Sequence, residues 1–416
     1  MLLQFKVKNF RSIRDEAYLS LIPSSDKEHP ENLAHTGGRQ AVKSIAIYGA
    51  NAAGKSNVIL AFVAAIMAVR TSDIRNVGQK ISSMVPFKLD EKTAKEPCSF
   101  EFFFIGKDGI PYRYGFSADE DRVHEEYLYW YASTRPSRIF ERTGDKFDYN
   151  KAEESQLKVY EKKNAPNKLF LATATNWNCE KTAPAYQWLA ESIDVYLSDF
   201  PMKVESLEKY QDDPDGDLKR FTLQLLRQAD INIDDIDVQF VPLPMTVSAY
   251  VNNTETPLQG QARAIKIHAG HKIEAKSGEQ KQFYFDLNEE SLGTKQLFQM
   301  SPVLKDVLEK GRVMVIDELG RGLHPFLVKF LVDLFHNPQV NKTGAQLVFS
   351  THDTSLLSLD TFRRDQIYFV EKDPRTAATD LYSLDEFSVR KSENIEKGYL
   401  LGRYGAIPYL RPEGAF

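Results

Sequence analysis

Gly-Ala-Asn-Ala-Ala-Gly-Lys-Ser, residues 49–56, is the stretch that decides the fold of this chain. Its spacing, Gly-x4-Gly-Lys-Ser, is that of a phosphate-binding P-loop. An apolar run typical of a short buried strand precedes it at residues 43–48, and residues 58–69 form a long apolar run typical of a helix. Strand, glycine-rich turn and helix together allow backbone N–H groups to converge on phosphate oxygens at a helix N-terminus. The stretch therefore predicts a nucleotide-binding α/β fold.

The side chains that end the P-loop predict which nucleotide binds. Lys55 can reach β and γ phosphates, and the Ser56 hydroxyl can ligate Mg²⁺. We therefore expect a nucleoside triphosphate, ATP or GTP, with Mg²⁺ as the metal. The expected nucleotide-binding residues are Gly49, Ala50, Asn51, Ala52, Ala53, Gly54, Lys55, Ser56 and Asn57.

A second apolar strand ends in two carboxylates near the other end of the chain. Residues 312–319 read Arg-Val-Met-Val-Ile-Asp-Glu-Leu, the pattern of a Walker B strand followed by an acid. A strand that is buried on both faces is apolar throughout, and its carboxyl end is where α/β sheets bind ligands. Asp317 is predicted to hold Mg²⁺, directly or through water, and Glu318 to orient or deprotonate the attacking water.

A histidine follows the next apolar run. Residues 346–350 read Gln-Leu-Val-Phe-Ser, typical of a buried strand, and run into Thr351 and His352. An imidazole at this position can contact the γ phosphate and respond to its presence. We therefore expect His352 to act in catalysis together with Glu318.

A weaker motif lies just upstream of the Walker B strand. Residues 290–296 read Glu-Ser-Leu-Gly-Thr-Lys-Gln and precede a helical pattern at 297–308. A serine and a glycine that open a helix form an anion-binding terminus. Ser291 and Gly293 are therefore further candidates for nucleotide binding.

Composition and charge exclude several protein classes. The chain of 416 residues is 42% hydrophobic, carries a net charge of −5 and contains two cysteines, Cys98 and Cys179. A signal-peptide core is absent, the longest apolar run is too short to cross a bilayer, and the cysteines form no metal-binding pattern. We expect a cytoplasmic protein with no membrane partner. Nucleic-acid binding remains possible but needs a local basic patch.

The periodicity changes along the chain and predicts three segments. Aromatic β-like runs at 99–105, 112–116 and 123–131 predict an antiparallel sheet, and helical spacing at 185–197 and 217–229 predicts helices. Residues 238–273 become β-like again, with Asn252 and Asn253 as a turn signal. The segments are an ATPase lobe with the P-loop and an antiparallel β subdomain (1–154), an inserted helical lobe (155–237), and an ATPase lobe with the remaining motifs and a C-terminal extension (238–416).

The order of the motifs along the chain resembles that of the ATPase heads of the ABC and SMC superfamily. It runs from the P-loop to the Ser-x-Gly helix start, the Asp-Glu strand end and then the histidine after the next strand. Within this superfamily, the chain resembles compact bacterial ATPases of phage-defence and abortive-infection operons, the AbiL/RloA-like group that includes the ATPases of the PARIS and Septu systems. Further resemblance lies in residues 5–12, 317–325 and 399–408. It implies a P-loop head in which ATP lies between the P-loop of one subunit and Ser291 and Gly293 of another. Arg11 and Arg321 match positions that contact nucleotide or cross the dimer in relatives.

Two departures from the superfamily pattern stand out. Ser-Leu-Gly-Thr-Lys replaces the Ser-Gly-Gly-Gln core of transporters, and no glutamine loop is obvious, although Gln79 is a candidate. The large insertion and the divergent motif also argue against a transporter subunit.

The leading hypothesis is a defence ATPase that senses or scaffolds, forms homo-oligomers and controls an effector, such as a nuclease or toxin, encoded nearby. A DNA-binding repair ATPase of the RecF type is the alternative. An OLD-type nuclease is disfavoured, because the residues after 368–373 lack an Asp-x-Asp pair for two-metal chemistry.

Overall fold

The computed structural model describes residues 1–197, 204–251, 254–274 and 278–408, and side chains within these ranges except at 204–205, 244–251 and 254–262. The helices are α1 Lys55–Arg70, α2 Glu154–Leu157, α3 Phe170–Asn176, α4 Ala183–Glu191, α5 Val204–Glu208, α6 Asp217–Gln228, α7 Leu292–Lys310, α8 Pro325–His336 and α9 Ile395–Leu400. The strands are β1 Leu2–Lys8, β2 Ala17–Ser20, β3 Leu33–Thr36, β4 Arg39–Val42, β5 Ser44–Gly49, β6 Cys98–Ile105, β7 Pro111–Ala118, β8 Val123–Trp130, β9 Ser137–Thr143, β10 Lys146–Tyr149, β11 Ile193–Tyr196, β12 Asp235–Val251, β13 Thr254–Glu274, β14 Gln280–Asp286, β15 Val313–Ile316, β16 Gln346–Ser350, β17 Ile367–Lys372 and β18 Thr379–Ser383.

Contacts divide the chain into two compact units. The first contains Met1–Asp199, Val307–Arg321 and Pro325–Phe416, and the second contains Phe200–Asp306 and Gly322–His324. The sequence placed boundaries at 154/155 and 237/238, and that three-part division stays a prediction. Residues 155–197 belong to the same unit as the P-loop, and side chains such as Trp188 lie in its core.

A mostly parallel sheet is the centre of the first unit. Its strand order is β11-β15-β16-β5-β17-β18, with β18 antiparallel to β17 and the other neighbours parallel. The P-loop strand β5, the Walker B strand β15 and the strand β16 before His352 therefore end at the same edge of one sheet. Buried side chains on both faces explain why β15 is apolar throughout and why the three central residues of β16 are apolar.

An antiparallel sheet of order β10-β9-β8-β7-β6-β1-β2 forms the other layer of this unit. Helix α1 joins it to the central sheet, since Phe62 of α1 stacks on Phe5 of β1 with ring centroids 3.9 Å apart. Burying an aromatic side chain of this size contributes about 1.5–3 kcal/mol. The structure is thus mixed α/β with an antiparallel sheet, and the predicted fold class is confirmed.

One predicted helix is wrong over its second half. The apolar spacing at 185–197 predicted a single helix, but α4 ends at Glu191 and Ile193–Tyr196 is the edge strand β11. Its residues alternate and include two β-branched side chains, and they pair in parallel with β15 from Ile193↔Val313 to Tyr196↔Ile316. Pairing with a strand distant in the sequence overrides the local helical pattern.

The second unit combines helices with a long antiparallel ribbon. Strands β12 and β13 pair from Asp235↔Gly270 to Val251↔Thr254, and β14 pairs with β13. The predicted turn at Asn252 and Asn253 lies outside the described residues. Within this unit the Thr222 hydroxyl of α6 donates to the Ser301 hydroxyl of α7 at 2.9 Å, joining the two helices through a buried hydrogen bond.

No helix in the described part of the chain has both the length and the apolar character needed to cross a membrane.

Candidate functional site

The P-loop connects β5 to α1 through a turn that requires glycine. Gly54 has φ +119°, and a Cβ atom there would lie 2.2 Å from Oγ1 of Thr379. Ala52 also has a positive φ of 62°. The turn therefore wraps tightly around the N-terminus of α1, where the free N–H groups favour an anion.

The Lys55 side chain is buried and directed at the loop itself. Its Nζ donates to the carbonyl of Gly49 at 2.8 Å and to that of Ala50 at 3.0 Å. Burial lowers the pKa of the Lys55 ammonium to about 8, while the charges of Asp317 and Glu318 oppose that shift. These charge interactions show that the P-loop lysine and the two Walker B carboxylates share one site.

The two carboxylates occupy different environments. Asp317, immediately after β15, is 7% exposed, whereas Glu318 is partly exposed. Glu318 has φ 55°, a left-handed conformation that non-glycine residues adopt rarely. Such strain is typical of functional sites held by the surrounding structure. Here the strained backbone is held by Ser350 at the end of β16, whose hydroxyl accepts from the Glu318 N–H at 2.8 Å.

His352 lies on the solvent side of Glu318. Its Nε2 is 3.8 Å from Oε1 of Glu318, and its side chain is 46% exposed. Burial of the ring and then the charge of Lys55 lower the pKa of the His352 imidazole, against the opposing charges of Glu318 and Asp317. These contributions favour the neutral form of the ring, which can donate one hydrogen bond and accept another.

Arg321 forms a weak contact with the same carboxylate. Its Nη1 lies 3.9 Å from Oε2 of Glu318, and the Arg321 side chain is 61% exposed. An exposed pair at this distance contributes little to stability. The Glu318 side chain is itself 35% exposed.

Two residues that sequence reasoning missed brace the P-loop from outside. The Thr379 hydroxyl, on β18, lies 2.9 Å from the carbonyl oxygen of Ala53 and 2.7 Å from the Ser12 hydroxyl. The Asn57 amide donates to the same Ser12 hydroxyl at 2.6 Å. Ser12 follows Arg11, which the resemblance had singled out, but the contact with Thr379 joins residues 367 positions apart and has no local signal.

A cavity of about 750 Å³ adjoins the loop on the side of His352. The P-loop backbone from Gly49 to Ala53, the end of β17 and the segment around Tyr399 and Ile407 line it. Tyr48, the residue before the P-loop, also lines the cavity and is 1% exposed.

The remaining predicted residues belong to the second unit. The Ser291 hydroxyl accepts from the Thr294 N–H at 3.1 Å, so Ser291 caps the N-terminus of α7, and Gly293 lies in the first turn. Ser291 is exposed and the neighbouring Leu292 is 58% exposed. The predicted serine and glycine thus lie at an open helix N-terminus.

The segment that contains the P-loop and both Walker B carboxylates matches a known protein family. Residues 44–358, from the start of β5 to beyond His352, match the family described as AAA domain, putative AbiEii toxin, Type IV TA system. The chain belongs to this family. The match includes the P-loop, the Walker B strand and His352, and it makes this AbiEii-type AAA protein a member of an ATPase family. No curated protein matches the chain.

Solved structures with similar folds include several ATPase heads. The Smc head domain bound to the C-terminal domain of ScpA, from Pyrococcus furiosus, is 12% identical with a TM-score of 0.43, covering 97% of this chain and 98% of that one. The recombination mediator RecF with ATP is 14% identical with a TM-score of 0.37, covering 92% and 99%. CbiO1 of Clostridium perfringens, part of an ABC transporter complex, is 12% identical with a TM-score of 0.34, covering 97% and 98%. These TM-scores lie below 0.5, so membership rests on the sequence match.

The residues of this AbiEii-type AAA protein fit a magnesium nucleotide. The turn around Gly54 leaves no room for a side chain, and the Lys55 ammonium bonds to carbonyl oxygens that a phosphate oxygen could replace. Asp317 and Ser56 offer carboxylate and hydroxyl oxygens, the ligands that Mg²⁺ prefers. No cluster of three or more His, Cys, Asp or Glu side chains suited to a metal occurs among the described residues.

Proposed function

We propose that this AbiEii-type AAA protein binds ATP with Mg²⁺ at the P-loop, hydrolyses it at an interface between two copies, and controls a partner effector in antiphage defence. The observation that supports hydrolysis is the convergence of Lys55, Asp317, Glu318 and His352 at one edge of the central sheet. These groups come from the ends of β5, β15 and β16, and each is suited to a different part of phosphoryl transfer.

In this proposal the residues have distinct roles. Ser56 and Asp317 would hold Mg²⁺, which would supply positive charge next to the phosphate oxygens. Lys55 leaves its carbonyl partners to contact the phosphates. Glu318, partly exposed and within 3.8 Å of His352, accepts a proton from the attacking water. His352 donates a hydrogen bond toward the transferred phosphoryl group.

Ser291 and Gly293 are proposed to complete the site from a second copy. The N-terminus of the long helix α7 carries partial positive charge, and Ser291, which precedes the helix, is exposed to solvent. A phosphate held by both copies adds binding energy only to the closed dimer, so ATP would shift the equilibrium toward that state.

The proposed role in defence draws its support from the family. The family description names a putative toxin of a type IV toxin–antitoxin system. In the proposal, the chain itself contributes ATP-dependent closure, while an effector protein encoded nearby contributes the toxic activity.

The test uses Glu318→Gln purified with its genomic neighbours co-expressed, and its mass is determined with and without Mg-ATP. We expect slow hydrolysis and an ATP-dependent dimer with a stoichiometric partner protein. Glu125→Gln, which changes an exposed glutamate on β8, is the matched control and should hydrolyse ATP normally. Normal turnover in Glu318→Gln would refute the catalytic assignment.

Two further outcomes separate parts of the proposal. Ser291→Arg should still bind ATP but no longer dimerise, because a bulky cation would occupy the end of α7. Dimerisation that persists in this variant would reject the contribution from a second copy. A dimer that carries nucleic acid instead of a protein partner would favour the RecF-type alternative.

A further inference from the structure

Ser350 is buried at the end of β16, next to β15. The two carboxylates follow β15, and the histidine follows β16. Strands β15 and β16 pair in parallel with Ile316 opposite Phe349. The next residues, Asp317 just after β15 and Ser350 at the end of β16, therefore lie side by side. Ser350 is fully buried, although it adjoins a site that must admit a nucleotide.

The Ser350 residue bonds to three consecutive residues of the Walker B segment. Its hydroxyl donates to Oδ1 of Asp317 at 2.6 Å and accepts from the Glu318 N–H at 2.8 Å. Its carbonyl oxygen accepts from the Leu319 N–H at 2.9 Å. One residue of β16 thus contacts the metal-binding carboxylate, the backbone of the catalytic carboxylate and the turn that follows.

The chemistry of a hydroxyl makes these two side-chain bonds cooperate. A serine has one proton to donate and two lone pairs to accept with. When the proton points at the Asp317 carboxylate, the oxygen is free to accept from Glu318. The bond to a carboxylate is charge-assisted and short, so it fixes the rotation of the hydroxyl.

We infer that Ser350 is a positioning residue for the proposed ATPase: its one hydroxyl orients the Asp317 carboxylate toward Mg²⁺ and holds Glu318 in its left-handed conformation. The inference rests on the proposed function. Its basis is the φ of 55° at Glu318 together with the two bonds of the Ser350 hydroxyl. Without the hydroxyl, the Glu318 N–H and one oxygen of Asp317 lose a partner in a buried place.

A purely structural role for Ser350 makes a different prediction. Ser44, at the opposite end of the neighbouring strand β5, is equally buried, and its hydroxyl lies 2.7 Å from Nε2 of His336. If buried serine hydroxyls only support the sheet, their loss should lower the stability at either position and leave the response to Mg²⁺ unchanged. Ser44→Ala is therefore the matched control.

The experiment measures binding of a non-hydrolysable ATP analogue by calorimetry over a range of Mg²⁺ concentrations. We expect Ser350→Ala to raise the Mg²⁺ concentration for half-maximal binding by about 10- to 100-fold, the usual effect of removing a group that orients a metal ligand. Binding of the analogue without Mg²⁺ should change less than about 2-fold, because the P-loop is intact. Ser44→Ala should leave the Mg²⁺ midpoint where it is.

A second pair of variants covers the case in which Ser350→Ala folds poorly. Ser350→Thr and Ser350→Val have nearly the same shape and differ in the hydroxyl. Thr should keep a Mg²⁺ midpoint close to that of the wild type, and Val should raise it as Ala does. Equal midpoints for Thr and Val would overturn the inference, as would an equal shift in Ser44→Ala.

The wild type separates this inference from the proposed function. If the wild type binds the analogue with a Mg²⁺ dependence and Ser350→Ala behaves identically, only the role of Ser350 is wrong. If the wild type does not bind the analogue at all, the proposed function fails and this inference fails with it.

Discussion

Replacing Glu318 by glycine should stabilise the first unit relative to replacing it by alanine. Glu318 has φ 55°, held by the bonds from its own N–H and from the Leu319 N–H to Ser350. A left-handed residue with a Cβ costs roughly 1–2 kcal/mol, which glycine avoids. Glycine loses about 0.4–1 kcal/mol more than alanine through the entropy of the unfolded chain. From the midpoints of these two ranges, the net difference is about 0.8 kcal/mol in favour of glycine.

Differential scanning calorimetry of the two variants measures this difference. In a unit of this size it corresponds to a melting temperature about 1–3 °C higher for Glu318→Gly than for Glu318→Ala. Both variants lack the carboxylate, so neither should hydrolyse ATP and the comparison isolates the backbone. Strain that is released only when the proposed catalytic residue is removed is the expected trade between stability and activity.

Met67 provides a control with the opposite sign. It is 44% exposed and lies in the interior of α1, where glycine is less favourable than alanine by about 1 kcal/mol. Met67→Ala should therefore melt above Met67→Gly. If Glu318→Ala also melts at or above Glu318→Gly, the conformation at Glu318 is not strained and the reasoning is refuted.

Three further predictions concern the P-loop and its surroundings. Lys55→Ala should weaken ATP binding measured by calorimetry at least 100-fold, about 2.7 kcal/mol, because the phosphates lose the ammonium; affinity within a few-fold of the wild type would exclude Lys55 from binding. ATP affinity should be constant below pH 8 and fall above it, since Lys55 in the nucleotide-free protein has a pKa of about 8 and a bound phosphate favours its charged form. A flat affinity profile from pH 7 to 9.5 would contradict this prediction. Thr379→Val should lower the free energy of unfolding by about 1–3 kcal/mol and weaken ATP binding, because the carbonyl of Ala53 loses its hydrogen-bond partner. Thr379→Ser, which keeps the hydroxyl, should restore stability in urea titrations and ATP affinity in calorimetry. Equal behaviour of the two variants would show that the hydroxyl has no role.

Local patterns predicted the elements whose structure is decided locally. The strand before the P-loop was expected at residues 43–48 and is Ser44–Gly49, and β16 has the predicted bounds. Helix α6, expected at 217–229, ends at Gln228. In each case a long apolar or amphipathic run lies between clear turn signals, so local sequence and tertiary structure agree.

The parts that could not be predicted depend on partners far along the chain. The local pattern of Ile193–Tyr196 predicted a helix. Its strand could not be predicted, because β15, with which it pairs, lies more than 100 residues later. The contacts of Ser350 with Asp317 and of Thr379 with Ser12 span 33 and 367 positions. Serine and threonine at strand ends are common, and only the fold shows which of them face a functional group.

The hydrogen bonds of Lys55 explain how the loop can be formed before it binds anything. A P-loop concentrates N–H donors and therefore repels a buried cation unless carbonyl oxygens compensate. Here the carbonyls of Gly49 and Ala50 accept from the Lys55 ammonium at 2.8 and 3.0 Å, and the carboxylates of Asp317 and Glu318 oppose the loss of its charge. A phosphate that replaces these carbonyls exchanges neutral acceptors for charged ones, so an ion pair is added to the hydrogen bonds of the ammonium. In the proposed binding mode one side chain moves and the loop keeps its structure, so we expect ATP affinity to depend on the charge of Lys55 more than on loop flexibility.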